Sequence, residues 1–292
     1  MIIDTHAHLY WEAFQKDFDE VIERALTAGV EAIINIGVDP ETSQKAAQLE
    51  NSQIKFYSSI GIHPHEALKY IQNGQTLHGR DTFVQKDIDN LEQIYNSNPK
   101  KVAAVGECGL DFLFDHPALL ETPSKKVIST TQAKALQIQL FQAQIDLAKK
   151  LSLPLIVHCR DDRSQNPANS EVWDKTIDMT KNHQGIYHCY SGLKRTTKRI
   201  IKETRFLVSF AATLTYPRND YLIEAVKMLP LERIVLETDC PFLPPQSKRG
   251  TRNEPAAVLE IGQKIAEIKR ISLTEVAEQT TRNVLKLLSL SI

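Results

Sequence analysis

The 292 residues contain no apolar run long enough to cross a bilayer, and no basic segment followed by a hydrophobic stretch at the N-terminus. Neither a membrane span nor a secretory signal is therefore expected. Cysteine is scarce: Cys108, Cys159, Cys189 and Cys240 lack the spacing of a disulfide framework or of a cysteine-rich structural zinc site. They read as small side chains filling space beneath a site, or as soft ligands or reactive thiols, in a reducing cytoplasm. Net charge is almost nil, −1, which excludes a global attraction to nucleic acid or to an anionic membrane. No repeat of fixed period and no linker dividing two domains are visible. What is present is an ordinary globular composition, 42% hydrophobic and 24% charged, which excludes disorder and allows a large core.

Short β-branched runs alternate with longer helical patterns, as in parallel βα units. Strands are expected near 1–6, 31–37, 55–61, 101–106, 154–158, 185–188, 205–209 and 233–237. Helical spacing covers 14–28, with Gly29 as terminator, and 131–151, with Leu136, Leu140, Ala143, Leu147 and Leu151 as its apolar stripe. Asp39-Pro40-Glu41 reads as a helix start. Two further helices are expected at 254–269 and 272–289, the second opened by a capping box at Ser272-Leu273-Thr274-Glu275. Eight strands with intervening helices predict an α/β fold, a (β/α)8 TIM-type barrel forming a single domain over 1–292. Two polar stretches, 66–86 and 112–131, break the rhythm and read as long loops on the active-site side, or as neutral surface insertions.

Six residues of metal-binding type fall at the ends of the apolar runs: His6 and His8, Glu107, His158, His188 and Asp239. A barrel gathers the C-terminal ends of its strands on one face. His6 and His8, two apart in an extended segment, point the same way. Imidazoles and carboxylates together suit Zn²⁺, Mn²⁺ or Fe²⁺, and tolerate Mg²⁺ on the carboxylate-rich side. The set is larger than one tetrahedral ion needs, so two divalent ions are expected.

The motifs Ile3-Asp4-Thr5-His6-Ala7-His8-Leu9, Gly61-Ile62-His63-Pro64-His65, Gly106-Glu107-Cys108-Gly109-Leu110-Asp111, Val157-His158-Cys159-Arg160-Asp161, His188-Cys189-Tyr190-Ser191-Gly192, Glu237-Thr238-Asp239-Cys240-Pro241 and Arg249-Gly250-Thr251-Arg252-Asn253-Glu254-Pro255 occur in this order. In them the chain resembles the TatD-related metal-dependent deoxyribonucleases, from residue 2 to about residue 288. The resemblance implies a metal-dependent hydrolase barrel that cleaves single-stranded DNA from the 3′ end. It implies one ion among His6, His8, Glu107 and Asp239, and a second among Glu107, His158 and His188. The sequence departs from the family pattern at 71–86, 112–131 and 162–170, which look longer than usual and bear on substrate access.

On this reading, water activated between two ions attacks a phosphodiester phosphorus. Glu107 bridges, and Asp239 takes the proton of the water or serves as ligand alone. His63 donates to a phosphate oxygen or the leaving group, or is structural; His65 reads as a loop residue. Arg160, Arg249 and Arg252 are candidates for the nucleic-acid backbone, or for surface ion pairs. Asp111 orients a ligand or caps a loop, and Glu254 caps a helix. Trp11 and Phe14 stack on a base or lie buried under the mouth, and Tyr190 and Ser191 lie near enough to His188 to touch substrate. The competing enzyme reading is an amide, ester or lactone hydrolase of the same superfamily, disfavoured because Glu107 stands where such relatives often carry a lysine. A non-enzymatic barrel is disfavoured because all six ligands are present. No membrane and no obligate protein partner are expected.

Overall fold

The computed structural model describes residues 1–72, 75–76, 83–114, 120–123, 127–161 and 170–291. Eight parallel strands form one sheet in chain order: β1 Ile2–Ala7, β2 Val30–Ile36, β3 Lys55–Ile60, β4 Val102–Asp111, β5 Leu155–Arg160, β6 Gly185–Tyr187, β7 Leu207–Phe210 and β8 Ile234–Leu236. The first and last strands meet through the parallel bridge Ala7–Cys240, with Asp239 N–H donating to His6 O at 2.8 Å. The sheet is thus a nearly closed barrel, and the α helices between the strands follow the expected (β/α)8 plan.

The strands are apolar on both faces because both are covered. One cluster draws Ile3, Ala32, Ile34, Ala104, Ile156, Ile186, Leu207 and Val235 from the strands, and a larger one packs the strands against the helices. The helix Leu273–Leu288 closes the N-terminal end of the barrel. Its Asn283 amide donates to Leu231 O and Ile234 O at 2.9 and 2.8 Å. Its start is the predicted capping box, with Ser272 Oγ accepting from Glu275 N–H and Glu275 from Ser272 N–H. Asp39 likewise caps the helix Pro40–Gln48.

Several boundaries differ from the sequence reading. The strand expected to end at 106 continues to Asp111, with a register irregularity between Val105 and Cys108. Glu107 therefore sits inside the strand rather than at its end. Glycine permits this: at Gly109, whose φ is +139°, any Cβ would overlap the His158 carbonyl oxygen. The segment 14–28 divides into a 3-10 turn at Glu12–Phe14 and a helix at Phe18–Thr27. The stretch 66–86 is not all loop: Pro64–Tyr70 is 3-10 helical, and a helix begins at Phe83 and runs to Ser97. Similarly, 112–131 holds a Glu121–Val127 bridge and the first turn of the helix Thr130–Leu151. The middle parts of both stretches, and 162–169, lie outside the described residues.

The helix Thr130–Leu151 also steadies the mouth. Gln137 and Gln144, seven residues apart and both buried, face inward beside the predicted apolar stripe. Gln144 exchanges hydrogen bonds with Ile62 N–H and Ile62 O at 2.7 and 2.9 Å. Gln137 accepts from Asp111 N–H at 2.8 Å. These amides satisfy backbone groups that the strands leave unpaired at their C-terminal ends.

Candidate metal centre

The C-terminal end of β1, the interior of β4 and β5, the residue after β6 and the turn after β8 bring all six predicted ligands together. The ligand atoms of His6, Glu107 and His188 lie within 4.8 Å of one another, as do those of His6, His8 and Asp239, and those of His63, Glu107 and His158. Glu107 stands at the centre. Its Oε2 lies 3.4 Å from His6 Nε2. Its Oε1 lies 2.8 Å from His158 Nδ1, 3.1 Å from His188 Nε2 and 3.6 Å from His63 Nε2. His63, set outside the ligand count by the sequence reading, thus borders the same carboxylate oxygen as two ligands.

Asp239 is carried by a sharp turn. Its φ is +59°, a left-handed conformation that aspartate tolerates better than most residues. Its Oδ1 lies 3.6 Å from His6 Nε2 and 3.5 Å from His8 Nε2. Asp4 holds this turn from below. Its carboxylate accepts from Thr238 N–H at 2.9 Å and from the Thr238 hydroxyl at 2.6 Å. Asp4 is fully buried, and that burial pushes its carboxyl up to about 8.

The second nitrogen of each histidine decides what the first can do. His8 Nδ1 lies 3.1 Å from Ile36 O, an acceptor only, so that nitrogen carries the proton and Nε2 keeps its lone pair. His188 Nδ1 lies 3.2 Å from Glu237 Oε1, and Nε2 faces Glu107. His158 Nε2 lies 3.1 Å from Asp111 Oδ2, leaving Nδ1 toward Glu107. His63 is the reverse. Its Nδ1 accepts the backbone N–H of His65 at 3.2 Å, so the neutral ring carries its proton on Nε2.

Electrostatics follow from this crowding. Burial opposes ionisation of Glu107, yet charge on His188 and hydrogen bonds from His158 and His188 overcome it and hold the carboxyl well below its usual range. Burial likewise opposes charge on His158, but Asp111 and Glu107 raise it to about 9. Burial pushes His63 down to about 3, despite Glu107 beside it. The carboxylates therefore favour positive charge among the ligands while His63 stays neutral.

The donor set fits divalent cations. His6 is buried, stacks on His188 at 3.7 Å, and neither of its ring nitrogens has a hydrogen-bond partner. A buried polar group normally has a partner, and a cation between His6 and the neighbouring carboxylates would supply one. Two ligands each about 2.1 Å from one tetrahedral ion lie about 3.4 Å apart. The separations of 3.4, 3.5 and 3.6 Å around His6, His8, Glu107 and Asp239 match that spacing.

Other predicted residues are distributed differently. Arg160 is exposed, with Nη1 3.9 Å from Asp111. Arg249 is exposed and lies over the Tyr216 ring at 4.5 Å. Arg252 is engaged by Asp17 at 2.6 Å and Glu254 at 3.0 Å, and rests on the Phe14 ring. Its guanidinium is thus committed to carboxylates, and Glu254 pairs with Arg24 and Arg252. Phe14 is fully buried, which removes it as a base platform. Tyr190 is buried, its hydroxyl on Thr197; Ser191 is partly buried beside Cys159 O. His65, read as a loop residue, lies 3.0 Å from Asp111. Glu237 and Phe242 were missed. Glu237 had a signal, a lone carboxylate directly after the apolar run Ile234-Val235-Leu236.

The chain is similar to known proteins along its whole length. The profile of the family described as TatD related DNase matches residues 3–289. The metal-dependent hydrolase YabD of Bacillus subtilis is 34% identical over 290 residues, covering 98% of each chain. The 3′-5′ ssDNA/RNA exonuclease TatD of Citrobacter rodentium is 27% identical, covering 100% of this chain and 99% of that protein. Among solved structures, the TatD homologue YjjV of Escherichia coli superposes with a TM-score of 0.79 at 26% identity, covering 99% and 98% of the two chains. The barrel, the gathered ligands and these similarities agree: this chain belongs to the TatD-related DNase family of metal-dependent hydrolases, which act on ester bonds.

Proposed function

We propose that the chain is an exonuclease that shortens single-stranded DNA from its 3′ end, using two divalent cations. All 292 residues are taken as one catalytic domain. The observation that carries the reading is the position of Glu107, one of whose oxygens borders His6 while the other borders His158 and His188. One carboxylate thereby touches two ligand groups. His6, His8, Asp239 and Glu107 Oε2 would hold one cation; Glu107 Oε1, His158 and His188 would hold the other. The donors suit Mg²⁺, Mn²⁺ or Zn²⁺. When bound, such cations supply an acidic water and positive charge for the non-bridging phosphate oxygens.

The chain's own groups then divide the remaining work. Asp239, held ionised despite burial by His8, His188 and His6, accepts the proton of the attacking water. His63, protonated on Nε2 when neutral, donates a hydrogen bond to a phosphate oxygen or the leaving oxygen. Arg160 and Arg249 contact the substrate backbone. Arg252, already paired, positions the loop that carries Arg249.

The test uses 3′- and 5′-labelled single-stranded DNA and RNA oligonucleotides with metal-stripped protein, then Mg²⁺, Mn²⁺ or Zn²⁺ added back, beside Glu107→Ala. Stepwise shortening from the 3′ end, lost in Glu107→Ala, is the expected result. Cleavage of RNA alone, or shortening from the 5′ end, would overturn the substrate or the polarity. No cleavage by protein that binds metal would favour a small-molecule ester or amide hydrolase.

A further inference from the structure

Phe242 presents an anomaly at the mouth. It is 41% exposed, one of three large apolar side chains left in water among the described residues, with Met1 and Val127. Met1 is a chain end and Val127 lies in the stretch after β4, whereas Phe242 stands beside the metal centre. Its ring packs perpendicular to Trp11, with centroids 4.9 Å apart. Both rings also approach the imidazole of His8, at 6.0 Å for Phe242 and 5.7 Å for Trp11. In such a perpendicular pair, the ring that presents its edge keeps both faces uncovered by its partner.

Both aromatics are fixed by the candidate ligands themselves. Phe242 N–H donates to Asp239 O at 2.9 Å, and Trp11 N–H donates to His8 O at 3.2 Å. The left-handed turn at Asp239 and a second at Leu243, φ +52°, bracket Phe242 and set its direction. Trp11 caps the 3-10 turn Glu12–Phe14, whose Phe14 is buried, so the indole has a rigid base. Together Trp11 and Phe242 leave an open aromatic surface, held in place by the backbone, next to the metal centre.

We infer that Trp11 and Phe242 form a nucleobase subsite, which stacks a base flanking the scissile phosphate. The inference rests on the proposed nuclease activity and adds to it the residues that receive the base. A base hangs one sugar away from its phosphate, a span compatible with a ring about 6.0 Å from a ligand imidazole. Stacking uses the π-face common to all four bases, so the subsite holds the strand in register without reading its sequence.

The test compares normal single-stranded oligonucleotides with oligonucleotides abasic at either nucleotide flanking the 3′-terminal phosphodiester. The quantity is the ratio of kcat/KM, base-bearing over abasic, for the metal-loaded full chain. Stacking of this kind is worth about 1–3 kcal/mol per base, so the wild-type ratio should be roughly 5 to 150 at one of the two positions. Phe242→Ala and Trp11→Ala should bring that ratio toward one, and Phe242→Trp should restore it. An unchanged ratio in both alanine variants, or a wild-type ratio of one at both positions, overturns the subsite and leaves the nuclease reading standing. Failure of the wild-type protein to cleave any of these oligonucleotides overturns both.

Discussion

Glu237 offers the sharpest test of how the centre is organised. It is fully buried, accepts the Cys189 N–H at 2.6 Å, and places Oε1 3.2 Å from His188 Nδ1. On this geometry its work is to fix the His188 ring so that Nε2 faces Glu107 at 3.1 Å. Glu237→Gln keeps the volume and can still accept from Cys189, but it removes the charge that holds the proton on Nδ1. Replacing an outer partner of a metal-ligating histidine typically weakens metal affinity by about 10–100-fold. That corresponds to about 1.4–2.7 kcal/mol. Calorimetric titration of the stripped protein with Zn²⁺ or Mn²⁺ measures it directly. The expected result is a Kd for one of two ions raised within that range, with the other ion's affinity much less affected, because Glu237 touches His188 and not the His8–Asp239 side. Affinity within twofold of wild type would refute the reasoning, since His188 would then be oriented without Glu237. A change in thermal stability of the metal-free variant, measured in parallel, separates altered ligation from a damaged fold.

Three further outcomes follow from particular contacts. His63→Ala should keep both ions but lower kcat by roughly 10²- to 10³-fold, as expected for loss of a hydrogen-bond donor to charge developing in the transition state; loss of metal in the stoichiometry assay would instead make His63 a ligand. Gly109→Ala forces a Cβ onto the His158 carbonyl oxygen at a φ of +139°, so denaturant unfolding should show a loss of roughly 2–4 kcal/mol; a wild-type midpoint would contradict the tight approach of β4 and β5. Asp174 accepts from Arg195 and Arg199 at 2.9 and 2.6 Å. Burial opposes ionisation of Asp174, but these arginines outweigh it and lower its pKa. A depressed carboxyl contributes stability above its unfolded pKa and loses it as pH falls through the folded value. With the carboxylate 33% exposed, screening limits the effect to about 1 kcal/mol or less, so urea melts of Asp174→Asn should show a small deficit at pH 7 that fades in acid; an equal deficit well below the folded pKa would assign it to packing.

Much of the centre was legible because its chemistry is local. His6 and His8 share a face by strand periodicity, and each remaining ligand follows or interrupts an apolar run. Glu237 was overlooked although it follows the same kind of run, because a carboxylate two residues before Asp239 reads as part of that motif. Phe242 was passed over because an aromatic after proline in a loop carries no sign of its exposure. The difference between His63 and the other histidines could not be read at all. It depends on whether the outer ring nitrogen meets an N–H or a carbonyl, and the partners, such as Ile36 for His8, come from distant segments. Arg252 illustrates the same point: its motif suits a phosphate, yet Asp17, 235 residues away, occupies it.

Hydrophobic periodicity and residue chemistry act over short spans, so the alternating βα order, the candidate ligands and the kinship were all readable along the chain. Which oxygen of Glu107 faces which histidine, which ring nitrogen stays bare, and which aromatic stands open at the mouth depend instead on the folded barrel. Those properties arise where β1, β4, β5, β6 and the turn after β8 converge, and barrel closure alone sets distances between residues so far apart in the chain.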